Sequence, residues 1–184
     1  MHEDILRGAG CDEGVVSHCR AVTAVALEYA GSSVVDRDLV VAGGMLHDLG
    51  RSRTHALAHA EMGAEGARAL GLPDEVVRTI RRHIGAGLTA EECALLGLLP
   101  ADAVPRHLEE QVVAHADNLT KGTRAITLEE RMDRSVVLGR KAAVRTFRLG
   151  LELEPLRHLP GGRSSLKCQA DKAPLSRFPA QESD

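Results

Sequence analysis

Four histidines and two aspartates stand where they can act together: His18, the pair His47-Asp48, His59, His83 and Asp117. In Gly43-Gly44-Met45-Leu46-His47-Asp48-Leu49-Gly50-Arg51 an imidazole and a carboxylate sit side by side behind an apolar run, Leu39 to Ala42. A nitrogen donor and a carboxylate offered to one point in space form a metal-ligand pair, provided other ligands arrive from elsewhere in the chain. Helical spacing puts His47 on the face of Val40, Gly43 and Gly44. The two glycines cost helix stability, and a close approach of another backbone or a ligand would offset that cost. His18 lies three residues after Val15 and four before Val22, and His83 lies three after Ile80. Both therefore point inward. Taken singly, such a histidine reads more readily as a core residue bonded to a carbonyl. Asp117, four residues after Val113, needs a partner or a cation beside an apolar stripe.

The chain has nine histidines. His2, His107 and His158 fall in terminal or loop regions, His115 is two residues from Asp117 and faces away from it, and His55 is ambiguous. The remaining four imidazoles, with Asp48 and Asp117, can hold two divalent cations bridged by one carboxylate. Mixed nitrogen and oxygen ligation suits Mn, Fe, Zn or Ni better than Ca. Cys11, Cys19, Cys93 and Cys168 form no CxxC pair, which excludes an all-thiolate site. Two cations sharing a water lower its pKa, giving a metal-activated hydroxide, and clamp a phosphoryl oxygen as charge develops on it.

Helices must position these residues. A short one over 3–9 ends at Gly10; Asp12 caps a longer one to about Ala30. A third, begun by Asp36 or Arg37, ends at His47-Asp48, with Gly50 as its stop. Residues 51–55 form a loop, 56–70 a helix with His59 near its start, and Pro73 opens a helix to Gly85. Thr89-Ala90-Glu91-Glu92 and Thr127-Leu128-Glu129-Glu130 are capping boxes. The first starts a short helix to about Leu96, and the second a long one to about Leu153. Between them, 100–107 is a proline-containing connection and 108–119 a helix. Arg134, Lys141, Arg145 and Arg148 recur along one face of the long helix; such a stripe is ordinarily a solvated face, the alternative being an anion-facing or partner-facing surface. No segment reads as a strand. The pattern fails after Pro155, so the expected division is a domain over 1–154 and a disordered or loosely docked tail over 155–184.

Composition bounds the class. The 184 residues suit one domain, with no Trp, one Tyr and two Phe, so Ala, Val and Leu must fill the core. The net charge of -3 argues against a general polyanion binder, so no nucleic-acid partner is expected. The cysteines read as reduced thiols, the acidic start Met1-His2-Glu3-Asp4 is unlike a signal peptide, and no apolar run is long enough to span a bilayer. The expectation is a cytoplasmic protein without a membrane partner. The basic stripe allows a homodimer contact.

The order His18 … His47-Asp48 … Asp117 resembles the H…HD…D signature of the HD superfamily of metal-dependent phosphohydrolases, and His47-Asp48-Leu49-Gly50 resembles its HDIG variant. His59 in His-Ala-Glu-Met-Gly-Ala and His83 in Arg-Arg-His-Ile-Gly-Ala-Gly are similar to the third and fourth histidine motifs of the binuclear branch. That branch includes HD-type diadenosine-tetraphosphate hydrolases and uncharacterised archaeal HDIG proteins. The resemblance covers residues 5–150. It implies an all-α HD-domain bundle of about six to eight helices and two divalent metal ions, Fe or Mn ahead of Mg, Ni and Zn. By the same resemblance Asp48 bridges both ions, His18, His47 and Asp117 complete one shell, and His59 and His83 the other. Arg51 stands where phosphodiesterase relatives often carry Lys after HDxG, and would grip a phosphate in catalysis beside Asp48. Arg124, seven after Asp117, resembles an Arg of the diadenosine-tetraphosphate hydrolases, and Lys121 would be a further phosphate contact. The intervening Asn118-Leu119-Thr120-Lys121-Gly122-Thr123 departs from theirs and leaves the dinucleotide substrate open. The implied activity is hydrolysis of a nucleotide or related phosphoester. The alternatives are a di-iron oxygenase on the same ligand set and a non-catalytic metal- or nucleotide-binding module.

Overall fold

Nine α-helices, a 3-10 turn and a two-stranded hairpin account for the regular structure of the residues described by the computed structural model, 1–31, 34–132 and 139–157. The helices are α1 (His2–Gly8), α2 (Glu13–Tyr29), α3 (Arg37–Leu46), α4 (His59–Ala69), α5 (Asp74–Arg82), α6 (Ala90–Leu95), α7 (Leu108–Asn118), α8 (Leu128–Met132) and α9 (Arg140–Arg157). The 3-10 turn spans Leu49–Ser52, and β1 (Thr120–Lys121) pairs antiparallel with β2 (Arg124–Ala125). No helix among the described residues is long and apolar enough to cross a membrane. Residues 158–184, with Cys168, His158 and most of the expected tail, lie outside the described residues, as does Arg134.

The expected starts follow from side chains that satisfy the first free N–H groups of each helix. Asp12 accepts from Val15 N at 2.9 Å, and Asp36 accepts from Asp38 N and Leu39 N. Thr89 and Glu92 bond each other's backbone N–H groups reciprocally, as do Thr127 and Glu130. Packing then forms two apolar clusters. Val22, Val25, Ala26, Tyr29, Val40, Val112, Val113, Leu149 and Leu153 belong to one. Leu6, Val16, Cys19, Met45, Leu46, Ala64, Val76, Val77 and Ile80 belong to the other. α2 and α3 contribute to both, so they are the shared wall.

Five expectations are corrected. The long helix from Thr127 is two: α8 stops at Met132, and α9 starts at Arg140 after Gly139 at φ 85°. α9 then continues through Pro155 to Arg157. The proline forfeits one helical hydrogen bond, but Arg157 anchors the last turn through Glu28 at 2.6 Å and lies over the Tyr29 ring. The hairpin was not legible because each strand has two residues, too few for alternation. Gly122, at φ 60°, takes the first central position that a two-residue hairpin reserves for glycine. His115 faces away from Asp117 yet is fully buried, edge-on to Tyr29 with ring centroids 5.1 Å apart. Gly50 is no left-handed helix stop. It sits in the 3-10 turn, where a Cβ would run into the His59 carbonyl oxygen and lie 2.6 Å from Gly63 N. Gly43 and Gly44 likewise admit Thr79 and Thr23, whose atoms would lie 2.7 and 2.8 Å from a Cβ.

Two predictions follow from this packing. Gly50→Ala should destabilise the protein by about 2–4 kcal/mol because backbone, which cannot yield, occupies the space. Gly66→Ala, whose Cβ would meet only Leu49 at 3.8 Å, should instead stabilise α4 by about 0.5–1 kcal/mol; denaturant unfolding of both variants checks the contrast. The second concerns His115, which has no hydrogen-bond partner on either ring nitrogen. Burial, with the Arg157 charge adding to it, lowers its pKa to about 4, below an unfolded value near 6.5. The unfolded chain therefore binds the extra proton first, and stability is lost as pH falls from about 6.5 towards 4. His115→Leu should flatten that part of the stability–pH curve by on the order of 2 kcal/mol and be no less stable at pH 7.5.

Candidate metal centre

Three helix ends and two helix faces converge on one interior point. His47 is the C-cap of α3 and His83 the C-cap of α5, while His59 opens α4. His18 comes from the middle of α2 and Asp117 from the last turn of α7. Asp48 follows His47 directly, at the start of the 3-10 turn. All six residues expected from the sequence are brought together.

Each imidazole has its Nδ1 facing a backbone carbonyl, an arrangement that only an N–H can satisfy. His47 Nδ1 donates to Gly44 O at 2.8 Å, His59 Nδ1 to Ala56 O at 2.7 Å and His83 Nδ1 to Ile80 O at 2.7 Å. In each case the acceptor is three residues earlier. His18 Nδ1 donates to Gly122 O, at the tip of the hairpin, at 2.7 Å. With Nδ1 of each ring committed there, all four Nε2 atoms point inward. This is the outer-shell pattern that orients metal-ligating histidines.

The carboxylates divide the four nitrogens into two groups. Asp48 Oδ1 lies 3.1 Å from His59 Nε2 and 3.7 Å from His83 Nε2. Its Oδ2 lies 3.8 Å from His18 Nε2 and 3.7 Å from His47 Nε2. Asp117 Oδ1 adds to the second group, at 3.1 Å from His18 Nε2 and 3.7 Å from His47 Nε2. Donors about 2.1 Å from a common ion at 90–110° are roughly 3.0–3.4 Å apart; the two separations of 3.1 Å meet that, and the four of 3.7–3.8 Å need to close by only a few tenths of an ångström for shared ligation of a divalent cation. His47 Nε2 is buried with no partner, and His59 Nε2 and His83 Nε2 are 3.0 Å apart. Two bare lone pairs at that distance repel unless a proton or a cation lies between them. The donor set therefore fits divalent metal.

Electrostatics point the same way. Burial opposes ionisation of Asp48, but His47, His59 and His83 overcome it and hold its carboxyl far below the usual range. Asp117 is likewise lowered against burial, first by its hydrogen bond with His18. His83 falls to about 3 through burial and the neighbouring His47 and His59, so it is neutral at pH 7. His18 goes the other way. Burial disfavours its charge, but Asp117 and the Gly122 carbonyl raise its pKa to about 9.

Access is one-sided. The side chains of His47, Asp48, His59 and His83 are at most 5% exposed, while His18 and Asp117 are 17% and 24% exposed. The β1–β2 hairpin stands on that open side, and with it Lys121 and Arg124, both exposed. Arg124 faces Glu130 at 3.4 Å. Arg51 is not a free phosphate grip: its Nε donates to Asp48 Oδ1 at 3.1 Å and its Nη1 to His55 O at 3.0 Å. His55 is exposed and contributes only that carbonyl.

The sequence reading missed the residues that hold the loop after His83. Asn118 Nδ2 donates to Gly85 O at 2.7 Å and is itself fixed by Arg131. Arg145 donates to Ala86 O and Gly87 O and pairs with Glu92 at 2.6 Å. Arg145 is thus a strut, not part of a solvated stripe. Its helical position alone gave no signal, since its partners are 53 to 59 residues away.

Comparison with known proteins places the geometry in context. The family model of the HD domain matches residues 15–122. An uncharacterised protein of Methanocaldococcus jannaschii is 48% identical over 125 residues, covering 65% of this chain and 74% of that protein. The tRNA (cytidine(56)-2'-O)-methyltransferase of Picrophilus torridus is 43% identical over 130 residues, which are 71% of this chain but only 38% of the methyltransferase. Ribonuclease Y of Aquifex aeolicus is 36% identical over 73 residues, 39% of this chain and 13% of the ribonuclease. No solved structure matches.

The His18–Asp117 pair generates a prediction. With the His18 pKa raised to about 9, the metal-free chain holds a proton there at pH 7 that an incoming cation must displace. Titration calorimetry with Mn²⁺ or Zn²⁺ in buffers of different ionisation enthalpy should show at least one proton released per chain. Apparent affinity should tighten roughly tenfold per pH unit up to about pH 9. Binding without proton release would remove His18 from the ligand set.

Proposed function

The chain belongs to the HD-domain family, and from that premise we propose that it is a metal-dependent phosphohydrolase using two ions to cleave a nucleotide or related phosphoester. The observation that carries the reading is the division of Asp48, one carboxylate oxygen towards His59 and His83, the other towards His18 and His47. On this reading His18, His47 and Asp117 would hold one ion and His59 and His83 the other, with Asp48 available to both. Mixed imidazole and carboxylate donors suit Mn, Fe, Zn or Ni better than Ca, and the family resemblance puts Fe or Mn first. When bound, such ions supply an acidified water and positive charge for the oxygens of a transferring phosphoryl group.

The protein's own groups then have distinct tasks. The four carbonyl-bound Nδ1 atoms hold the rings rigid, so no reorganisation is needed during reaction. The buried apolar surroundings of His47, His59 and His83 keep bulk water from the inner side. Substrate enters from the His18–Asp117 side, where Lys121 and Arg124 on the hairpin meet its phosphate; Arg124 leaves Glu130 to do so. Arg51 positions Asp48 and presents its remaining guanidinium N–H groups to a phosphoryl oxygen. A phosphorylated small molecule acted on in the cytoplasm, where Cys11, Cys19 and Cys93 remain free thiols, fits this arrangement. The M. jannaschii relative carries no activity in its name, and the ribonuclease match supports phosphoester chemistry only for the part of that enzyme that aligns.

The test is phosphate or nucleotide release from mononucleotides, cyclic nucleotides, dinucleoside polyphosphates and a generic phosphodiester, with protein loaded anaerobically with Mn or Fe. Activity should fall at least about a thousandfold in Asp48→Ala, since one carboxylate serves both halves of the site. Lys121→Ala and Arg124→Ala should raise KM about tenfold with smaller effects on kcat. Metal shown to be bound with no release from any substrate would overturn the hydrolase reading, and oxygen uptake by the Fe-loaded protein would then decide for the oxygenase.

A further inference from the structure

α9 has two unlike sides. Ala142, Thr146, Leu149, Gly150 and Leu153 are buried against the rest of the protein. On the opposite side Val144, Phe147 and Leu151 are 43%, 43% and 56% exposed. Their spacing of three and then four residues is that of the seam between paired helices. Beside this seam Arg140, Lys141, Arg148 and Glu152 have no ion-pair partner among the described residues, whereas Arg145 and Arg157 on the same helix are paired. Arg140 and Lys141 also sit in the first turn, where the helix dipole disfavours cations. The apolar and charged features together call for a covering element with an apolar stripe of its own and an acidic group near the α9 N-terminus.

We propose that α9 is the contact between two copies of this chain, packed antiparallel about a two-fold axis beside Phe147. Such an interface is self-complementary: each contact occurs twice. Placing Val144 against the partner's Leu151 brings Phe147 to the axis. The same register sets Lys141 beside the partner's Glu152 along one flank and Arg140 beside the partner's Glu154 along the other; within one chain Glu154 meets Tyr29 and Arg157 through Oε1, which leaves Oε2 for that contact. The unfavourable cations of each first turn are thereby matched by carboxylates of the opposite helix. One like-charge contact remains, the two Arg148 side chains near the axis. A polyanion would suit the three cations, but it would leave Val144, Phe147 and Leu151 in water and set Glu152 against like charge. A second copy answers both.

Sedimentation equilibrium of the full chain over a range of concentrations tests this. The wild type should dimerise, and Val144→Asp and Phe147→Asp should each remain monomeric with unchanged circular dichroism, since both positions are exposed. Lys141→Glu and Glu152→Lys should each weaken the dimer about tenfold, because two pairs are lost and replaced by repulsion. The double variant should recover to within about threefold of the wild type, an outcome that misfolding does not produce. Arg148→Leu should tighten it. A monomeric wild type, a dimer that survives both aspartate variants, or a double variant no better than the singles overturns the proposal. Overturning it equally would be a monomer that binds a single-stranded RNA oligonucleotide through Lys141, which would assign the face to a polyanion.

Discussion

Four imidazoles share one interior point only if each has somewhere else to put its proton. The backbone supplies that place: carbonyls of Gly44, Ala56, Ile80 and Gly122 each take an Nδ1–H at 2.7–2.8 Å. Three of the four acceptors stand three residues before the histidine they hold. For His47 and His83 they are the unpaired carbonyls of a helix's last turn, so the helix ends need those rings as much as the rings need them. The consequence is a ring of inward-facing Nε2 atoms around two ionised carboxylates. Such a centre is costly to bury without positive charge, and the proton on His18 supplies some of it in the absence of metal.

Bringing three helix ends that close is a packing problem, and small residues solve it. The 3-10 turn after Asp48 passes against the first turns of α4 with Gly50 and Gly63 in backbone contact. α3 lies against α2 and α5 at Gly44 and Gly43. A methyl group at Gly50 would push the Asp48 turn away from His59, whose Nε2 must stay near Asp48 Oδ1. The glycines are therefore as much part of the ligand geometry as the ligands themselves, although only Gly44, through its carbonyl to His47 Nδ1, touches one.

What the sequence made legible divides along physical lines. Helix existence and the capped starts at Asp12, Asp36, Thr89 and Thr127 were readable because both signals are local: periodic burial, and a side chain three residues from the N–H it satisfies. The six site residues were readable as types in order. Their two plain readings, core histidine bonded to a carbonyl or inward ligand, turn out to be compatible, since one ring nitrogen serves each. Gly50 was misread because glycine looks the same whether it ends a helix or admits a neighbour. The hairpin carrying Lys121 and Arg124 was too short to have a period. Asn118 and Arg145 escaped because their acceptors are backbone carbonyls of a distant loop, and a carbonyl has no letter in the sequence.

Arg145 also shows how the outer surface and the inner site form one mechanical unit. Gly85 and Gly87 adopt left-handed conformations, φ 61° and 79°, that let the chain turn sharply after His83. A turn of that kind is loose unless its carbonyls are held. Asn118 holds one from α7, and Arg145 holds the next two from α9 while its charge is matched by Glu92 at the start of α6. The loop that follows His83 is thus held from a helix whose other side is exposed in the single chain. The buried side of α9 fixes where Arg145 stands, and Arg145 holds the loop that follows His83, whose own bond to the Ile80 carbonyl is made within the last turn of α5. Order at the centre of the protein is set partly by a side chain that, from its spacing alone, belongs on the outside.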